Sequence, residues 1–192
     1  FIKRSWKLQD QPWWMIRNGE NMTLEDIQTK IDPENIFLMG DSSSGNTAFI
    51  TAFTADMNCM DTDVYKEYSC KVVSCVKIKE DFPTTPNQGE PDSPEGLEIG
   101  SKNVYEHPEL SDQITCMNYV KKELPSPPVL MMHGIADDTV APNQSIQLYK
   151  KLKEEEKDAT FYLVEGADHG HPYFWCEPTL SLIEQFFKKY MK

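Results

Sequence analysis

The chain has 192 residues, of which 39% are hydrophobic and 26% charged, a size and balance that suit one globular domain and exclude collagen-like, coiled-coil and wholly disordered chains. With 31 acidic against 19 basic side chains and a formal charge of -12, its summed field repels a polyanion, so nucleic acid is not expected as a partner. No apolar run approaches the ~18 residues of a membrane span, and none of the five cysteines stands in a C-x-x-C pair of the kind that holds zinc.

The opening Phe1-Ile2-Lys3-Arg4 lacks the apolar core of a secretory leader, and the chain starts on Phe rather than Met. An incomplete front is expected. Thr23-Leu24-Glu25-Asp26 has the form of a capping box opening a short helix, and Asp32-Pro33-Glu34-Asn35 then turns the chain. The apolar run Ile36-Phe37-Leu38-Met39 predicts a buried strand, and beyond Gly40 a small-residue segment leads into a helix over 47–53. Further strands are predicted over 71–78, 128–132 and 160–164, each rich in Val, Leu, Met or aromatic residues. Prolines and glycines concentrate between 81 and 100 and again at 125–128, so residues 81 to about 126 read as a loop-rich insertion in a single domain covering 1–192.

Between the third and fourth strands Ser145, Leu148, Tyr149 and Leu152 recur at helical spacing, and Leu180, Ile183, Phe187 and Tyr190 make a comparable stripe at the end of the chain. Strands alternating with helices give the α/β class, a parallel sheet flanked by helices whose site lies at the C-terminal strand ends. Cys59, Cys70, Cys75, Cys116 and Cys176 are odd in number and read as reduced thiols in a cytoplasmic setting. Asn21-Met22-Thr23 and Asn143-Gln144-Ser145 match the N-glycosylation pattern, which is short enough to recur by chance.

Three strand ends carry polar residues of complementary chemistry. Gly40-Asp41-Ser42-Ser43-Ser44-Gly45 offers a serine between small residues, as a sharp strand-to-helix turn requires; by itself the segment is equally a serine-rich helix cap. A hydroxyl near neutral pH needs a base beside it, and the N–H groups of the following helix can stabilise an oxyanion. His133-Gly134-Ile135-Ala136-Asp137-Asp138 follows the third strand and Gly166-Ala167-Asp168-His169-Gly170-His171 the fourth, supplying an acid and a base. Asp138 and His171 compete with Asp137 and His169 on composition alone. His133 reads as satisfying backbone groups at a strand end and His107 as a loop surface residue.

The chain order Ser, Asp, His is that of α/β-hydrolases. Residues 31–192 resemble the C-terminal two-thirds of an esterase/lipase of that superfamily, on Ile31-Asp32-Pro33-Glu34-Asn35 through Gly40-Asp41-Ser42, on the His133-Gly134 to Asp137 turn with Val140-Ala141-Pro142, and on Gly166-Ala167-Asp168-His169-Gly170. Ser93-Pro94-Glu95 with Ile99-Gly100, then His107-Pro108-Glu109-Leu110, resembles an insertion of carbohydrate-associated acyl esterases. The resemblance implies a Ser42 nucleophile, an Asp137 acid, a His169 base and the Ser43 N–H as oxyanion donor. It implies a small or carbohydrate-linked acyl ester as substrate and no metal or organic cofactor.

The chain departs from the family pattern in two places. Ser44 stands where G-x-S-x-G has its second glycine, and only 41 residues precede Ser42, where the family places several strands and a His-Gly-Gly loop. The expected sheet is therefore incomplete, lacking its N-terminal strands. Its first strand then stands at an open edge that invites self-association, unless the segment bearing Trp6, Trp13 and Trp14 packs over it. A prolyl oligopeptidase-type peptidase, whose acid loop His133 to Asp138 also resembles, and a catalytically silent remnant are the alternatives to an esterase.

Overall fold

A computed structural model describes residues 16–17, 20–21, 32, 34–57, 69, 71–78 and 89–192. The capping box at Thr23, the tryptophans Trp6, Trp13 and Trp14, the 81–88 part of the insertion and Cys59 and Cys70 lie outside the described residues. Near the front, β1 (Ile16–Arg17) and β2 (Glu20–Asn21) form a two-residue antiparallel ladder. Asp32 then makes the expected turn: its Oδ1 accepts from the Glu34 N–H at 2.9 Å and its Oδ2 from Asn35 Nδ2 at 2.7 Å.

Four strands follow, β3 (Phe37–Asp41), β4 (Ser74–Ile78), β5 (Val129–Gly134) and β6 (Ala159–Val164). They lie in the order β3-β4-β5-β6 with every neighbouring pair parallel. Among the described residues the helices are α1 (Ser43–Phe53), α2 (Pro94–Glu98), α3 (Pro108–Ile114), α4 (Asn143–Glu154) and α5 (Thr179–Tyr190). β4 and β5 are buried along their whole length, as strands covered on both faces are, and this accounts for the apolar run Val129 to Met132 in β5; in β4 the burial extends to the polar Ser74 and Lys77.

Alternate residues of the strands feed two cores. Cys75, Val129, Met131 and Ala159 face Ala48, Phe49, Ala52 and Phe53 of α1 and Leu148 and Leu152 of α4. Val76, Ile78, Leu130 and Met132 face Ile183 and Phe186 of α5, with Ala167 and Phe174. This α/β architecture matches the expectation from the sequence, with boundaries that moved for identifiable reasons. β5 runs on to Gly134 because His133 and Gly134 still pair with Leu163 and Val164 of β6. α1 starts at Ser43, immediately after the turn, rather than at 47.

The described part of the expected insertion contains α2, α3 and a 3-10 turn at Cys116–Tyr119. Cys116, Tyr119 and Val120 close the core over α1. In α5 the buried positions are Ile183 and Phe186, while Leu180 of the expected stripe is 40% exposed. Among the described residues no helix is long and apolar enough to cross a membrane.

Candidate active site

The ladder between β3 and β4 continues one residue beyond β3, with the Ser42 N–H donating to the Ile78 carbonyl at 2.9 Å. The chain then enters α1 without a loop. Ser42 itself takes φ 54 and ψ -131, a backbone conformation that costs a non-glycine residue about 1–3 kcal/mol and persists only where its surroundings impose it. Gly40 makes the turn possible, because a Cβ there would stand 2.0 Å from the Ser44 carbonyl oxygen. Ser44 is exposed, so the position where the family pattern has glycine accepts a serine side chain directed into open space.

Ser42 makes no side-chain cap on α1. Its Oγ instead lies 2.9 Å from His169 Nε2, which discards the reading of the segment as a helix cap. The N–H groups of Gly45 and Asn46 return to the Ser42 carbonyl at 2.8 and 3.2 Å. Ser43 opens the helix, where first-turn N–H groups have no intrahelical acceptor.

The acid and base loops are brought together by a second glycine. A Cβ on Gly134 would stand 2.2 Å from the Ala167 carbonyl oxygen, so the end of β5 and the turn after β6 touch backbone to backbone. The Ala136 N–H donates to that same carbonyl at 3.0 Å. Asp137 is buried at 5% exposure. Its Oδ1 accepts from the Thr139 and Val140 N–H groups at 3.1 and 2.8 Å, while its Oδ2 lies 2.9 Å from His169 Nδ1. A carboxylate only accepts, so His169 carries its proton on Nδ1 and offers the lone pair of Nε2 to the Ser42 hydroxyl.

Ser42, Asp137 and His169 thus meet at the ends of β3, β5 and β6. The competing residues have other surroundings. Asp138 is exposed, and His171 Nδ1 accepts from the Tyr173 N–H at 3.3 Å with its ring 4.1 Å from the Tyr173 ring. His107 stands just before α3 with Nδ1 3.4 Å from Glu109 Oε1.

His133 is more involved than the sequence reading allows. Its ring is fully buried, with Nε2 3.0 Å from the Val140 carbonyl, the expected backbone partner. The same Nε2 lies 3.2 Å from Asp137 Oδ2, and Nδ1 lies 2.7 Å from Ser145 Oγ. Burial holds its pKa below the ordinary value of 6.5, against the opposing pull of Val140 and Asp137. The overlooked signal is Ser145, a polar residue on the apolar stripe of α4 that needs a buried partner. That partner is His133, so the Asn143-Gln144-Ser145 triplet lies within a helix with its serine engaged in packing.

The BD-FAE family model matches residues 24–152, more than half of the chain. A solved structure of a truncated form of a carbohydrate esterase from gut microbiota is 26% identical, with a TM-score of 0.75 over 85% of this chain and 62% of that one. A thermophilic esterase from Thermogutta terrifontis, 20% identical, has a TM-score of 0.59 over 83% of this chain and 57% of its own. An acylaminoacyl peptidase from Pyrococcus horikoshii, 18% identical, has a TM-score of 0.61 over 88% of this chain and 26% of its own. No curated protein matches. The fold common to these structures is the α/β-hydrolase fold, and this chain spans less than two-thirds of the length of each of the three.

Proposed function

Because the chain belongs to the BD-FAE family, an α/β-hydrolase-type domain, we propose that it is a serine carboxylic ester hydrolase acting on a small or carbohydrate-linked acyl ester. The observation that carries this reading is the hydrogen-bonded relay from Ser42 Oγ to His169 Nε2 and from His169 Nδ1 to Asp137 Oδ2, with 2.9 Å at each of the two hydrogen bonds. The Ser42 hydroxyl attacks the ester carbonyl carbon as His169 Nε2 takes its proton, and Asp137 stabilises the imidazolium that forms. The negative charge passes to the former carbonyl oxygen, which receives the Ser43 N–H. Collapse of the tetrahedral species breaks the bond to the alcohol oxygen, which leaves with the proton returned by His169. Water, deprotonated by the same imidazole, then releases the acid from Ser42.

The carbohydrate-linked class is favoured by the 26% identity to a carbohydrate esterase. The peptidase, at 18% identity, speaks for the fold alone. The test is hydrolysis of 4-nitrophenyl acetate and of an acetylated sugar, run beside fluorophosphonate labelling. Wild type is expected to turn over both esters and to label at Ser42, and Ser42→Ala to lose about 10⁴-fold or more in kcat without labelling. Equal turnover by the two proteins removes the proposal. Well-folded wild type that neither labels nor turns over leaves a catalytically silent hydrolase scaffold, and cleavage of acylated peptides alone supports the peptidase.

A further inference from the structure

His133 has no part in the proton relay, yet it is the most completely enclosed polar group beside it, and its contacts fix both its protonation and its purpose. Nε2 faces two acceptors, the Val140 carbonyl at 3.0 Å and Asp137 Oδ2 at 3.2 Å. A bare lone pair there would be repelled by both, so Nε2 carries the hydrogen. A neutral ring then has Nδ1 unprotonated, and the Ser145 hydroxyl at 2.7 Å donates to it. One imidazole at the end of β5 thus joins two groups of the acid loop to one of α4.

That imidazole closes the acid loop on itself. Val140 accepts from His133 through its carbonyl and donates from its own N–H to Asp137 Oδ1 at 2.8 Å. The peptide groups on either side of Val140 are therefore both engaged, and Oδ1 is held by the N–H groups of Thr139 and Val140. With Oδ1 fixed, the carboxylate has one remaining freedom, rotation that swings Oδ2 away from His169. His133 Nε2, 3.2 Å from Oδ2, is a second donor to the oxygen that lies 2.9 Å from His169 Nδ1, and opposes that swing.

We infer that His133, locked as its Nε2–H tautomer by Ser145, is a positioning residue that holds Asp137 Oδ2 on the Nδ1–H of His169. The inference rests on the ester-hydrolase reading for its consequence in catalysis, but not for its geometry. The shorter contact of His133 is the one to Val140, 3.0 Å against 3.2 Å, so most of its effect passes through the loop and a smaller share through the longer limb to Oδ2. Removing the strut lets the carboxylate drift, the imidazolium of His169 loses stabilisation, and its midpoint of protonation falls. A pure charge effect has the other sign, because taking an N–H from beside Oδ2 leaves a more basic carboxylate and raises that midpoint. The exposed Asp138, Glu165 and Asp168 and the neighbouring His171 are common to wild type and variant and cancel from the comparison.

The test is nitrogen-detected NMR of the histidine rings in the full chain across a pH series, with fluorophosphonate labelling rates in parallel, for wild type, His133→Leu, His133→Gln and Ser145→Ala. In wild type, His133 is expected with hydrogen on Nε2 and none on Nδ1. In His133→Leu the His169 ring is expected to titrate at lower pH and Ser42 to label about a hundredfold more slowly, the scale of a misplacement near 1 Å. His133→Gln presents an amide N–H close to the position of Nε2 and is expected to recover most of both. Ser145→Ala is expected to move both in the direction of His133→Leu by a smaller amount.

A proton found on His133 Nδ1 overturns the inference. So does a folded His133→Leu in which His169 titrates at or above its wild-type midpoint, or a folded His133→Gln that recovers nothing. Should His133→Leu not fold, an unchanged His169 midpoint in Ser145→Ala overturns it in its place. A wild type that hydrolyses no ester removes the ester-hydrolase reading alone, since ring titrations need no turnover.

Discussion

Single atoms decide whether the elbow at Ser42 can form. Gly40 is required because the Ser44 carbonyl passes 2.0 Å from where a Cβ would stand, and a backbone oxygen cannot rotate aside as a side chain can. Gly40→Ala is therefore expected to cost about 1–3 kcal/mol in urea unfolding, the range of overpacking in a fixed site, and to lose most of its labelling at Ser42. Ser44→Gly is the contrasting change. Ser44 projects from the first turn of α1, so its replacement is expected to cost no more than about 1 kcal/mol of helix propensity and to leave kcat within about twofold. A large gain in stability from Ser44→Gly would mean that serine strains the turn after all. The motif G-D-S-S-S marks the candidate serine in the sequence, but the clearance that makes the first glycine obligatory and the second dispensable belongs to the folded backbone.

Helices and strands were legible to different degrees. β5 announces itself because a strand covered on both faces favours a run of apolar side chains such as Val129 to Met132, whereas β4 buries Ser74 and Lys77 among its apolar residues. α5 shows where periodicity alone falls short: of the stripe Leu180, Ile183, Phe187, Tyr190, Ile183 is buried and Phe187 and Tyr190 pack against the core, but Leu180 is exposed, and Phe186, outside the stripe, is buried. The face that packs on the sheet is set by Ile183 and Phe186 against Val76, Ile78, Leu130 and Met132, a docking angle no local pattern contains. The difference is measurable. Phe186→Ala, which opens a cavity in that core, is expected to destabilise by about 3–5 kcal/mol, whereas Leu180→Ala, at 40% exposure, should stay within about 0.5 kcal/mol. Urea midpoints at constant m-value decide, and comparable losses from both would place Leu180 in the core. The short helices of residues 94–119 were hidden for a related reason. Proline and glycine flank them, yet Ser93 caps α2 by accepting from the Gly96 N–H at 3.0 Å, and Tyr119 is anchored by donating to the Gln113 carbonyl at 2.8 Å.

The three site residues are 127 positions apart from first to last, so their assembly depends on the sheet, and the sheet does not hold them equally. Ser42 is tied to β4 through the Ile78 carbonyl and flanked by the most buried helix, α1. Asp137 is enclosed at 5% exposure with both oxygens occupied. His169 sits on the turn after β6, the last strand of the sheet, where Asp168 and Gly170 on either side are exposed and Tyr162 and Leu163 of the strand are open to solvent. Turns with few buried contacts open at lower free energy than central strands. Amide exchange is therefore expected to be slowest in β4 and β5 and fastest, among the three site loops, over 165–171. In a urea series, fluorophosphonate labelling of Ser42 should fall before far-UV circular dichroism does, because the hydroxyl loses its hydrogen bond to His169 while the sheet is still intact. Coincident midpoints for the two signals would mean that the imidazole turn unfolds only with the sheet, and that the order of stability runs differently from the order of burial.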